Sequence, residues 1–349
     1  MSRLAALEDV LFPVEEFPVF AEIGEGGATK RLAVRDKKAI VNTRENRVVG
    51  VVGRDYRLVD NRQALDWAYR CASAVFPHTK PDEWELHKVD APQSGGHCYI
   101  DLQHKRTASD FSFLPKGGAK DVFGPFVRVT NSYNGQRALS FNVGYFRKVC
   151  GNGLILPRSV IRFSYPHSRK EIKEEITFLV AKDSLKELRN SLLESLETLR
   201  ACGVPRADIL PLFQKVLLLR APEQKVGNAP LLAEWEALKQ HAEDLCNRAC
   251  EEFGENAYAL FNAVTEFASH PLRNRCLRRE RHALQRLAGD WTTRFVQECR
   301  KADFTVKGYL SGGFETGALT RRGIMPASLE EHPASAVSKT LDLPAPQSP

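Results

Sequence analysis

Residues 125–150 read PFVRVTNSYNGQRALSFNVGYFRKVC, two runs rich in Val, Thr, Phe and Tyr on either side of Asn134-Gly135. β-branched and aromatic residues suit a pleated backbone, and Asn-Gly favours a two-residue type I′ turn because both central positions take positive φ. The stretch therefore reads as a β-hairpin. Its expected register sets Tyr133 opposite Gln136, Ser132 opposite Arg137 and Arg128 opposite Phe141, with Arg128, Arg137 and Phe141 on one face. Gly144 marks a bend, Gly151 and Gly153 around Asn152 a tight turn, and residues 159–165 a further short strand.

On the N-terminal side the same two-residue period continues. Lys38–Val41 and Val48–Val52 read as a hairpin around the polar stretch 42–47, and Tyr56–Val59 as its extension past Gly53. Gly24-Glu25-Gly26-Gly27 is the nearest imitation of a phosphate loop, yet no helical pattern follows, so it reads as a turn. Asp60 with Gln63 three residues later starts a helix carrying Leu65, Trp67, Ala68, Cys71 and Val75. Residues 84–89 and 97–104 form a second hairpin, and the polar stretch 108–121 a loop.

After Pro166 the spacing becomes helical: Phe178, Ala181, Leu185, Leu188, Leu192, Leu196 and Leu199 recur in steps of three and four. Further helices are expected at 207–219, 229–252, 256–269 and 272–300, punctuated by Asn228, Gly254 and His270-Pro271. The expectation is an α+β protein: an antiparallel β-sheet domain with packed helix over residues 1–166, a helical domain over 167–305, and a disordered Gly-, Ser- and Pro-rich tail over 306–349. A chain of 349 residues, at ~150 per domain, has room for both.

The formal charge is +7, and it is unevenly placed. Residues 1–170 carry 26 Lys and Arg against 18 Asp and Glu, whereas residues 171–349 carry 24 against 25. Residues 122–170 contain eight cations, eight aromatic rings and no carboxylate. Cations neutralise phosphates and rings stack on bases, so this window is the expected nucleic-acid surface, with Arg128, Asn131, Tyr133, Arg137, Tyr145, Arg147, Lys148, Asn152, Arg158 and Arg162 as its contacts. The other reading buries the rings in a sheet and leaves the cations as a solvated face.

Chemistry for catalysis is sparse. There is no Walker loop, no dinucleotide fingerprint and no nucleophile elbow. Cys246 and Cys250 with His241 lack a second ligand pair, His97 and Cys98 point to opposite faces of a strand, and Asp55, Asp60, Glu83 and Asp101 are dispersed carboxylates. No catalytic residue, metal or cofactor is expected. Eight cysteines without a leader sequence, and no long apolar segment, read as thiols in a cytoplasmic protein that does not enter a membrane.

VVGVVGRDYRLVDN at 48–61, VTNSYNGQRALSFNVGYFRKVCGNGL at 129–154 and NAYALFNAVTEFASH at 256–270 together resemble the domain-of-unknown-function 932 family of phage- and plasmid-borne proteins. The middle motif, with Asn131, Arg137 and Arg147-Lys148-Val149-Cys150-Gly151-Asn152, is the most specific, and the likeness spans roughly residues 35–300. Lys148 stands where an apolar residue is expected and Gly153 where Thr is common. That family lacks an assigned reaction; its mobile-element setting implies DNA transactions. The expected function is a non-catalytic nucleic-acid-binding protein, favouring single-stranded DNA for binding or annealing. Alternatives are an adaptor or inhibitor of a host protein and a metal-dependent nuclease, and a homo-oligomer fits any of them.

Overall fold

The computed structural model describes residues 2–4, 6–25, 28–92, 94–105, 109–110, 122–147, 160–167, 178, 184–222, 229–277, 279 and 281–311. The fold is α+β. Its larger sheet is antiparallel, with strands β1 (Ser2–Leu4), β5 (Trp84–Pro92), β6 (His97–His104), β8 (Val122–Ser132), β9 (Leu139–Arg147) and β10 (Val160–Tyr165) in that order, and β7 (Ser109–Asp110) also pairing with β8. A second sheet of three strands is formed by β2 (Val14–Glu25), β3 (Ala28–Asn42) and β4 (Arg47–Gly53). Helix α1 (Asn61–Val75) lies on the larger sheet, and α2 (Ser184–Ala201), α3 (Arg206–Val216), α4 (Ala229–Phe253), α5 (Ala257–Ser269), α6 (Arg281–Cys299) and α7 (Val306–Ser311) follow it among the described residues.

Local chemistry accounts for these elements. Asp60 caps α1 by accepting from the Gln63 amide at 2.7 Å, and Leu65, Trp67, Ala68, Cys71 and Val75 turn one face inward. That face meets Cys98, Ile100, Leu102, Val127, Val129, Leu139, Phe141 and Val143, the inward alternation of β6, β8 and β9. Asn256 caps α5 in the same way, accepting from the Ala259 amide at 3.0 Å. One cluster of buried residues runs from Val10 through the sheet to Val296 in α6, across the boundary expected near residue 166.

The deciding hairpin forms with a register one residue away from the expected one. Val129 faces Phe141 and Arg128 faces Asn142, so Arg128 and Phe141 lie on opposite faces. Asn134 lacks the positive φ of a type I′ turn; only Gly135 has it, at 71°. The Tyr133 amide instead donates to the Gly96 carbonyl at 2.7 Å, and its hydroxyl accepts from the Asn61 amide at 2.9 Å. Seating that ring, fully buried, in the second sheet's small core widens the turn, and a one-residue slip moves every side chain to the other face.

Three other expectations change. Residues 54–60 add no strand: the Tyr56 amide turns back to the Gly53 carbonyl, and its hydroxyl donates to the Ser132 carbonyl. The last long helix starts at Arg281 rather than 272. The helix Val306–Ser311 occupies the start of the expected tail, whose remainder lies outside the described residues, as does most of the loop expected at 108–121. The sequence shows no strand pattern before residue 38, yet β2 and β3 form a hairpin of 12 and 15 residues.

Candidate nucleic-acid interface

The large sheet is covered on both faces. One carries α1; the other, lined by Lys88, Asp90, Tyr99, Asp101 and Arg128, receives the Ser269 carbonyl at the end of α5 and the Arg281 and Gln285 side chains of α6. Arg128 donates to both carboxylate oxygens of Asp101 at 2.6 Å, and through Nη1 to Gln285 Oε1 at 3.1 Å. Gln285 in turn donates to Ser269 Oγ at 3.3 Å. Lys88 Nζ donates to the Ser269 carbonyl at 3.0 Å, and Arg281 Nε to Asp90 Oδ2 at 2.8 Å. Burial opposes the charge on Arg128, but Asp101 outweighs it and holds the guanidinium above its ordinary pKa.

The expected contact surface on residues 122–147 is therefore not formed as read. Arg128, Asn131, Tyr133 and Tyr145 are buried, Asn131 donating to the Val59 carbonyl and to Asn61 Oδ1. Among the described residues, the central strands β6 and β8 have no free face on which bases stack. Arg137 is half-buried and hydrogen-bonds Tyr99, and Arg162 is exposed on the edge strand β10. Arg147 ends β9 opposite Phe123, while Lys148, Asn152 and Arg158 lie outside the described residues. The carboxylates missing from this window come from elsewhere in the chain: Asp101 reaches Arg128 from the neighbouring strand.

The polar layer holds a cationic loop that the charge tally by halves conceals. Residues 273–281 read RNRCLRRER, five arginines in nine residues with Glu280 as the single acid. Acidic residues of α2 and α4 cancel them in the sum for residues 171–349, whereas a nine-residue window exposes them. The loop joins α5 to α6 and is clamped at two places, on β5 and on α4. Arg281 is anchored on Asp90, Asn274 Nδ2 donates to the Glu234 carbonyl at 2.8 Å, and the Arg275 amide and Nε donate to the Glu234 carboxylate at 2.8 and 2.5 Å. Arg273, Arg275 and Arg279 are exposed, as is Arg220 beside Arg279.

Like charges crowd this corner. Burial first, then the Arg281 guanidinium, bring Lys88 down to about 8; burial and then Lys88 lower His270; burial and then Arg220 lower Arg279. Lys88 gives a pH test. Below about pH 8 it is protonated folded and unfolded, so its burial penalty is fully present. Between about 8 and its ordinary 10.5 the unfolded chain binds more protons, and stability rises with pH. Tyrosines and cysteines titrate in the same window, so the measurement is the urea stability of wild type minus that of Lys88→Met. This difference is expected to climb from pH 8 to 10.5, and a flat difference contradicts the assignment.

Other candidates have structural occupations. Asp60 is the α1 cap, Asp55 is exposed, and Glu83 accepts from the Lys80 amide at 2.9 Å. Cys246 and Cys250 are buried on α4, burial pushing the Cys246 thiol up to about 12. Among the described residues, no three His, Cys, Asp or Glu side chains are grouped to hold a metal ion, and no helix is long and apolar enough to cross a membrane.

Residues 48–291 match the family described as a domain of unknown function, DUF932. The chain belongs to that family. The match runs from β4 to Trp291 in α6, so the polar layer and the arginine loop lie inside the DUF932 region, whereas β2 and β3 precede it. No curated protein and no solved structure matches the chain.

Proposed function

We propose that this DUF932 protein binds nucleic acid without cleaving it, through the phosphate backbone, on the loop between α5 and α6. The observation carrying the reading is the set of exposed guanidiniums of Arg273, Arg275 and Arg279, on a loop fixed by Asp90 and Glu234 and backed by Lys88 and Arg281, with Arg220 of the α3–α4 connection beside Arg279. A preorganised cationic ridge contacts phosphates with little ordering cost, and each contact releases condensed counterions. With Tyr133 and Tyr145 buried, the ridge offers phosphate contacts without the base stacking that single-strand selectivity requires.

The test is fluorescence anisotropy with labelled single- and double-stranded oligonucleotides across a salt series. Arg220→Gln, Arg273→Gln and Arg279→Gln are combined, leaving the Arg275–Glu234 pair intact. Affinity is expected to fall at least tenfold near 0.1 M salt, and the log–log slope to flatten by about 0.9 per lost duplex phosphate contact, or about 0.7 for a single strand. Equal affinity and slope in the triple variant would remove this loop from the binding surface, and no binding by the wild type would end the reading.

A further inference from the structure

Of the eight exposed large hydrophobic residues described, Phe17, Ile23, Leu32, Val48 and Val51 lie on one face of the three-stranded sheet, 41–54% exposed. The register establishes this. Phe17 faces Ala39, which faces Val51, and Val48 faces Val41, two residues along β3 from Ala39; the pairing shifts between Pro18 and Val19, but Val19, Ala21 and Ile23 follow Phe17 at every second position of β2, with Leu32 opposite Ala21. The other face of the same sheet is occupied: Ile40, Val49 and Val52 pack with Phe12 and Tyr133 near its base, while Arg31 sits 4.8 Å over the Phe20 ring further out. Nothing among the described residues packs on the apolar face. A contiguous exposed apolar patch marks an interaction surface, and a two-stranded arm such as 19–34 is marginal in water by itself.

We propose that this face is where a second copy of the chain docks, making a two-fold dimer. The charge pattern selects that occupant. On this face β2 contributes Glu15 and no cation, whereas β3 contributes Lys30 and Lys37 and no acid; Glu16 and Glu22, on the other face, pair with Lys38 and Arg31 of the same chain. A two-fold axis parallel to the strands and between two stacked sheets lays β2 of each copy over β3 of the other, so both strand pairs are complementary at once. A polyanion would meet the acidic strand. The size also fits: 12 residues at ~3.4 Å give a strip about 40 Å long and, across two to three strands, about 10–14 Å wide. With side-chain relief, this approaches the ~800 Å² per partner of a standard interface. The dimer leaves the arginine loop out of its contact, so this inference stands apart from nucleic-acid binding.

The experiment is sedimentation equilibrium of the nuclease-treated full chain with no oligonucleotide present. Wild type is expected to dimerise with Kd below about 10 µM. Phe17→Glu with Val51→Glu should weaken this at least tenfold with an unchanged circular dichroism spectrum. Charge reversal adds a specific check. Glu15→Lys in one chain, and Lys30→Glu with Lys37→Glu in another, should each self-associate poorly, and their mixture should restore a dimer. A monomeric wild type near 100 µM overturns the proposal, as does a double-Glu variant that dimerises like wild type, or charge-reversed chains whose mixture associates no better than either alone.

Discussion

Asp101→Ala is expected to destabilise the protein by about 3–5 kcal/mol, lowering the urea midpoint by about a molar or more. Asp101 and Arg128 are 5% and 6% exposed, and the carboxylate accepts from Nε and Nη2 of the same guanidinium at 2.6 Å. A planar two-bond pair of this kind offsets the desolvation of both ions only while both are present. Alanine at 101 leaves a buried cation facing Gln285, with Lys88 and Arg281 adding repulsion nearby. The effect should extend beyond the sheet, because Arg128 and Gln285 link β8 to α6. Amides of α6 near Gln285 should exchange faster in the variant.

The double variant Asp101→Leu with Arg128→Met separates an ion-pair effect from a packing effect. It removes both charges and keeps apolar volume, so it should recover most of the stability lost in the single variant. If Asp101→Ala unfolds at the wild-type urea concentration, the buried pair is not what joins the sheet to the helices. If the double variant is as unstable as the single one, the loss comes from shape rather than from an uncompensated charge.

The arrangement of strands and helices was legible because local signals agreed with the global fold. Asp60 with Gln63 marked the start of α1, alternation marked β5, β6, β8 and β9, and the Leu188–Leu192–Leu196–Leu199 ladder marked the buried side of α2. The location of the site was not legible, for two physical reasons. Turn chemistry at Asn134-Gly135 favoured a two-residue hairpin, but burial of the Tyr133 ring and its hydrogen bond to the Asn61 amide prevailed, and the slip exchanged the faces of the strand. Carboxylate-free sequence between 122 and 170 looked like open cationic surface because an ion pair needs no proximity in sequence: Asp101 lies 27 residues before Arg128, and Asp90 lies 191 residues before Arg281. In the second sheet the β3–β4 hairpin was legible at 38–41 and 48–52, whereas β2 and the outer part of β3 were missed for a related reason. Strand β2 reads VEEFPVFAEIGE on an exposed arm, where no buried face imposes a two-residue period.

That second sheet meets the larger one through close backbone approach, which makes Gly50→Ala the other variant with a large expected effect. A Cβ on Gly50 would stand 2.2 Å from the Tyr133 carbonyl oxygen, 2.7 Å from its carbon and 2.8 Å from Asn134 Cα, all of them backbone atoms. The turn cannot retreat cheaply, because the Tyr133 amide is bonded to Gly96, its hydroxyl to Asn61, and its ring packs 5.7 Å from Phe12. The strand must therefore lift, opening the small core of Phe12, Ile40, Val49, Val52 and Tyr133. A loss of about 3 kcal/mol or more is expected, concentrated in residues 14–53, while α2–α6 stay protected from hydrogen exchange. Gly53→Ala is the matched control on the same strand: no atom lies within 4 Å of its added Cβ, so it should change stability by less than about 1 kcal/mol. Limited proteolysis distinguishes the two, with new cuts in β2–β4 for Gly50→Ala alone. Equal protection of residues 39–52 in both variants would mean that the three-stranded sheet is not seated on the Tyr133 turn, and the apolar face proposed for dimerisation would then lose the fixed orientation on which it depends.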